Sequence, residues 1–165
     1  MSRGFVKEDD QEETPIIPPR AALPDGVTNY ITPFGMQLLL TEKETIEKER
    51  TNLNVQDEQQ RRRDLAVING KLQLLQERIA SARILDPKEQ PQNEVRFGAT
   101  VTIKMNNQIQ EFQIVGVDES DVKQQKIAFV APIARVITGK KEGEQVDFHL
   151  GKELRKLEIL RISYQ

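Results

Sequence analysis

The stretch LAVINGKLQLLQERIASA, residues 65–82, decides how this chain is organised. Its apolar positions Leu65, Ile68, Leu72, Leu75, Ile79 and Ala82 are spaced 3, 4, 3, 4 and 3, a seam of a and d positions kept for nearly three heptads. A helix with one narrow apolar stripe needs a second helix to cover it. Met36, Leu39, Lys43, Ile46, Arg50 and Leu53 repeat the spacing upstream, with two cations diluting the seam. Asn52 to Asp57 is the least helical stretch between the two, and Asp57 stands where an N-cap of the second helix belongs. Helices joined by so short a loop run antiparallel. The pattern predicts a coiled-coil hairpin over residues 34–85, with its tip near 52–58 and a first arm roughly 30 Å long. Stripes this narrow bury little surface, so the hairpin is expected to project from the rest of the chain. The alternative is that both helices pack on the C-terminal part.

Outward from the hairpin, Asp86-Pro87 ends the second helix, since proline cannot continue the ladder and its predecessor is pushed out of helical dihedrals. Residues 86–93, with Pro91, read as a linker. Over residues 94–165 the period changes to two. Val101, Ile103 and Met105 alternate with Thr100, Thr102 and Lys104, Asn106-Asn107 is a turn, and Phe112, Ile114 and Val115 return. Residues 126–130, 146–150 and 154–164 give further strands, and a short helix near Pro132 to Thr138 ends at Gly139. The expected fold class is α+β: an N-terminal antiparallel two-helix coiled-coil hairpin plus a C-terminal antiparallel β-sheet domain with one short helix. Residues 1–30 hold Pro15, Pro18, Pro19 and Pro24 and six acids against three bases, which predicts a disordered or extended acidic tail.

With 24 Lys plus Arg against 26 Asp plus Glu, the net charge of −2 excludes a surface that is basic throughout. Cysteine is absent, which excludes disulfides, thiolate metal sites and Cys nucleophiles, and no stretch approaches the length of a membrane span. The start, Met1 to Val6, has no hydrophobic signal region, so the expectation is a soluble, cytoplasmic protein without a membrane partner. The single histidine, His149, shares a strand face with Asp147 but has no nucleophile in its pattern, and Gly139-Lys140-Lys141-Glu142-Gly143 lacks the spacing of a phosphate loop. No enzyme activity, intrinsic metal or cofactor, or small-molecule substrate is expected. Arg61-Arg62-Arg63 make the distal end of the hairpin positive, either as a solvated face beside Asp57 and Glu58 or as an attraction for an anionic groove or nucleic-acid backbone. Asp57, Glu58 and Asp64 either cap and complement the helix dipole or offer hard oxygen ligands to a Mg²⁺ in a partner's site. With six Phe, two Tyr and no Trp in the whole chain, the sheet domain is expected to hold no aromatic-lined pocket.

Tyr30-Ile31-Thr32-Pro33-Phe34-Gly35, leading into Leu39 and Glu42, resembles the start of the GreA/GreB family of bacterial transcript cleavage and elongation factors. Ile84-Leu85-Asp86-Pro87 resembles the end of that family's coiled coil. Phe97-Gly98-Ala99-Thr100-Val101, Phe112-Gln113-Ile114-Val115-Gly116, Ala131-Pro132-Ile133-Ala134-Arg135 and Gly139-Lys140 then follow in the order of its C-terminal domain. Ser2-Arg3-Gly4-Phe5 and Lys7-Glu8-Asp9-Asp10 resemble a GreB-like branch with a Pro-rich N-terminal extension.

Over residues 30–165 the resemblance implies an FKBP-like C-terminal domain that docks on the rim of the RNA polymerase secondary channel, and a hairpin that enters the channel. Nascent RNA or template nucleic acid are implied partners through that complex. In the family, an acidic pair written Asp-x-x-Glu at the tip helps hold a polymerase-bound Mg²⁺, and the polymerase then hydrolyses its own backtracked RNA. Here Asp57 and Glu58 are adjacent, position 60 is Gln60, and the hairpin is shorter than the family's by about fifteen residues, roughly 10 Å of lost reach over two arms. The resemblance therefore implies an elongation regulator that occupies the channel without efficient cleavage stimulation. The first alternative is a true cleavage factor acting through Asp57 and Glu58; the second is a scaffold with no polymerase role. Val130, Ala131, Pro132, Ala134 and Arg135 match the family's rim-docking turn, with Val130 where an acid often stands. Prolyl isomerase activity is not implied.

Overall fold

The computed structural model describes residues 14–165. The stretches Ser2-Arg3-Gly4-Phe5 and Lys7-Glu8-Asp9-Asp10, and with them residues 1–13 of the expected tail, lie outside the described residues.

Thr32 and Pro33 begin the first helix, α1 (Pro33–Thr51). The Thr32 hydroxyl oxygen accepts from the Gly35 N–H at 3.0 Å, and Pro33 takes the first helical position, where no N–H is needed. Residues 52–57 turn the chain, Asp57 caps the return, and α2 (Glu58–Ser81) runs back. Ile31, Leu39, Ile46, Ile68, Leu72 and Leu75 are buried along the joint seam, with Met36, Leu53, Ile79 and Ala82 packed against them. The hairpin thus has a core of its own. Helix α2 stops at Ser81 instead of continuing to Leu85. There the Asn29 side chain donates to the Arg78 carbonyl at 3.0 Å and to Ser81 Oγ at 3.2 Å, and β2 (Arg83–Ile84) pairs in parallel with β1 (Tyr30–Ile31). A cap supplied from a distant part of the chain overrides a helical period that the sequence continues.

The second unit contains β3 (Thr100–Met105), β4 (Gln108–Val115), β5 (Lys126–Ala128), α3 (Pro132–Ile137), β6 (Gln145–Leu150) and β7 (Glu153–Ser163), with the sheet ordered β5-β4-β3-β7-β6. Asn106 and Asn107, at φ 52° and 62°, form the tight β3–β4 hairpin turn. The β3–β4, β3–β7 and β6–β7 pairings are antiparallel, but β5 lies parallel to β4, which departs from an all-antiparallel sheet. Two 3-10 turns, Val117–Glu119 and Val122–Gln124, carry the chain back so that the edge strand enters in the direction of β4. Val101, Ile103, Phe112, Ile114, Leu157 and Ile159 form a second core, closed by Ala134 and Ile137 of α3.

Polar groups join the two units. Glu119, only 5% exposed, accepts from the backbone N–H of Thr32 at 3.0 Å, from that of Gly116 at 2.9 Å and from the Thr32 hydroxyl. Asp118, with a side chain 2% exposed, accepts from Arg20 and Arg78, each at 3.1 Å. Arg20 also forks onto Glu42 at 2.7 and 3.0 Å, a contact that pushes the guanidinium pKa up. Residues 14–29 form no helix or strand, yet these contacts hold the segment on the hairpin.

Two consequences are measurable. Gly35→Ala, which at an ordinary helical site would add about 1 kcal/mol of stability, places a Cβ 2.1 Å from Glu119 Cδ. It is expected to lower stability by about 1–3 kcal/mol in thermal or urea unfolding. Near the C-terminus, burial pushes the Tyr164 phenol above its usual range, while its hydroxyl donates to the Glu94 carbonyl at 2.5 Å and accepts from the Arg96 N–H at 2.9 Å. The fold favours the neutral phenol, so its contribution is complete below the unfolded value of about 10 and is lost as pH rises through the higher folded value. Tyr164→Phe should cost about 1 kcal/mol at neutral pH and flatten the alkaline fall in urea midpoint between about pH 9 and 11.

Candidate functional site

The hairpin carries chemistry at both ends. At the far end, Asp57 Oδ1 accepts from the Gln59 N–H at 3.3 Å, so one carboxylate oxygen serves the cap. Glu58 is exposed in the first turn of α2, where a negative charge complements the helix dipole. Asp64 accepts from the Gln60 amide at 2.8 Å, one turn along. The three acids therefore do not converge, and among the described residues no three His, Cys, Asp or Glu side chains are grouped as a metal cage. Asp57 and Glu58 remain exposed oxygen donors of the kind a hard cation takes, supplying part of a six-ligand shell. Arg61, Arg62 and Arg63 are all exposed, and at helical spacing they spread around α2 instead of forming one flat face.

At the near end the structure overturns the expectation of no aromatic-lined pocket. The rings of Tyr30, Phe97 and Phe129 form a triangle with centroid separations of 6.0, 5.7 and 5.6 Å. They line a cleft of about 490 Å³ together with Val27, Leu85, Ile114, Val130, Arg96 and Arg135. Composition alone missed it because the rings come from three separated segments, and only the packing of hairpin base on sheet brings them together. The floor is apolar, and Arg96 is tied at 3.1 Å to Glu94. Arg135 is exposed at the rim, and the combination suits an apolar side chain flanked by a carboxylate.

The predicted docking turn divides by location. Val130 lines the cleft and Arg135 stands at its rim. Ala131 occupies the N-cap of α3 and Pro132 its first position, exposed. Ala134 has no exposed surface and belongs to the sheet core, so it seats the turn and does not face a partner. His149 lies on β6 opposite Leu154, and Asp147 opposite Lys156, an exposed arrangement without a nucleophile.

Residues 90–164 match the family model for the C-terminal domain of transcription elongation factor GreA/GreB. The chain is 38% identical over 100 residues to transcription elongation factor GreA of Hyphomonas neptunium, covering 59% of this chain and 64% of that protein. It is likewise 38% identical over 100 residues to GreA of Thermodesulfovibrio yellowstonii, covering 59% and 63%. The chain thus spans less than two thirds of the length of these relatives. Among solved structures it is similar to GreA factor homolog 1 (Gfh1) of Thermus thermophilus, at 18% identity and a TM-score of 0.38, over 82% of this chain and 99% of that one. It is also similar to the GreA/GreB factor of Nitrosomonas europaea, at 18% identity and a TM-score of 0.37, over 84% and 99%. No described helix is long and apolar enough to cross a membrane. The matched residues are those that build the sheet and most of the cleft, so it is the C-terminal part of the chain that is similar to the GreA/GreB transcription elongation factors.

Proposed function

We propose that this protein binds RNA polymerase through the aromatic cleft and the turn at Val130–Arg135, and places its hairpin in the secondary channel without efficient stimulation of transcript cleavage. The observation that carries the reading is the separation of the two cores: the leucines and isoleucines of the hairpin fill their own seam and leave the sheet domain's interior to the sheet and α3. A helical pair packed this way needs nothing from the sheet along most of its length, and 19 residues of α1 carry the tip roughly 28 Å from the base.

Each end then has a distinct task. The cleft supplies an apolar floor and the guanidinium of Arg135 to the rim, while Arg61–Arg63 attract anionic groups of the channel or of nascent RNA. Asp57 and Glu58 are available as additional oxygen ligands to a Mg²⁺ held by the polymerase. Such a ligand must stand about 2.1 Å from the ion, and the short hairpin and the cap on Asp57 both work against that approach. Stimulated cleavage through these acids is the second reading, favoured by their exposure at the extreme end of the prong.

Phe129→Ala should weaken binding to core polymerase by about tenfold or more, measured by anisotropy of a labelled chain competing with a GreA protein. Failure of the parent chain to bind core polymerase at all removes the proposal. On a stalled, backtracked complex, the parent should leave the RNA 3′ end uncut, and the Asp57→Ala, Glu58→Ala variant should behave identically. Cleavage by the parent that disappears in the double variant would establish the second reading instead.

A further inference from the structure

Residues 14–29 form no regular element, but they contact α2 in sequence order. Ile17 lies over Gly70, the Ala21 carbonyl accepts from Arg78, and Asn29 closes the helix end at Arg78 and Ser81. The segment therefore runs beside α2 in the helix's own direction and ends by becoming β1. Gly70 leaves room for Ile17, which keeps 36% of its surface exposed. A mid-helix glycine is unfavourable against alanine, and here a Cβ would stand 2.1 Å from Ile17 Cδ1. Three residues further, Arg20 ties three elements together, reaching Glu42 on α1 at 2.7 and 3.0 Å and Asp118 on the 117–119 turn at 3.1 Å, where Arg78 of α2 meets the same carboxylate.

We propose that residues 16–29 are an internal strap that fixes the attitude of the hairpin to the sheet, anchored by Ile17 in the Gly70 notch and latched by Arg20 between Glu42 and Asp118. Its release leaves the hairpin held by the Thr32–Glu119 and Arg78–Asp118 contacts and so widens its swing about the β1–β2 base. The same segment places Val27 in the wall of the cleft and runs directly into Tyr30 of β1, which also lines it. A side chain filling the cleft therefore favours the strapped state over the released one, and hairpin direction and cleft occupancy are linked equilibria. None of this depends on what the partner is.

Arg20→Ala leaves Asp118 paired with Arg78 and Glu42 with a side chain 40% exposed, so it orphans no buried charge. Gly70→Leu fills the notch while favouring the helix. Because the chain has no native cysteine, spin labels can be placed at Gln59→Cys near the tip and Lys152→Cys on the β6–β7 turn. Double electron–electron resonance on the full chain should give one narrow distance. In either variant a second population should rise from about 1% or less to about 10% or more. Trypsin should also cut after Arg20 about tenfold faster in Gly70→Leu. An unchanged distance distribution in both variants overturns the strap, as does unchanged cleavage at Arg20 in Gly70→Leu.

Discussion

Two neighbouring carboxylates on one 3-10 turn, Asp118 and Glu119, hold the hairpin to the sheet, and the placement of the cleft and of the tip depends on them. Glu119 takes hold of the start of α1 through Thr32, and Asp118 takes hold of the end of α2 through Arg78. A carboxylate removed from water costs several kcal/mol unless its oxygens are hydrogen-bonded. Both are met here: Glu119 by two backbone N–H groups and a hydroxyl, Asp118 by two guanidinium groups. Hydrogen bonds are directional where apolar contact is not. A junction built from them therefore specifies an angle, where a greasy one would let the helices slide.

That angle matters because the cleft and the tip belong to different units. Val27, Tyr30 and Leu85 of the cleft wall come from the hairpin side, and Phe97, Ile114 and Phe129 from the sheet side. A partner seated there touches both units at once and so fixes where the prong points. Over roughly 28 Å of helix, a rotation of 10° at the base moves the tip by roughly 5 Å. Base geometry and arm length thus set where the tip and its acids stand.

Periodicity carried the local structure into view. The 3-4 spacing of Leu65 through Ala82 and of Met36 through Leu53 marks the hairpin, Asp57 its second cap, and Asn106-Asn107 the tight β turn, because each is written in residues close together in the chain. The junction was not legible for the opposite reason. Asp118-Glu119 after a strand looks like a solvated turn, and its partners Arg20, Thr32 and Arg78 are scattered over distant segments. The cleft hid in the same way, since Tyr30, Phe97 and Phe129 acquire meaning only once the hairpin base is laid on the sheet. The helical period runs past the end of α2 because nothing near Ser81 announces that Asn29 will cap it.

Two helical glycines give a partial way back from sequence to tertiary contact. Gly35 and Gly70 both stand where alanine would serve a free helix better, and both lie under a side chain from outside the helix, Glu119 in one case and Ile17 in the other. The first notch admits the acid that sets the hairpin's angle; the second admits the segment that reinforces it. A glycine inside an otherwise good helical pattern is therefore better read as a place where another part of the chain comes close than as a weak point. Gly35 lies in the polar joint itself, and Gly70 lies about two turns of α2 out from Arg78, along the prong.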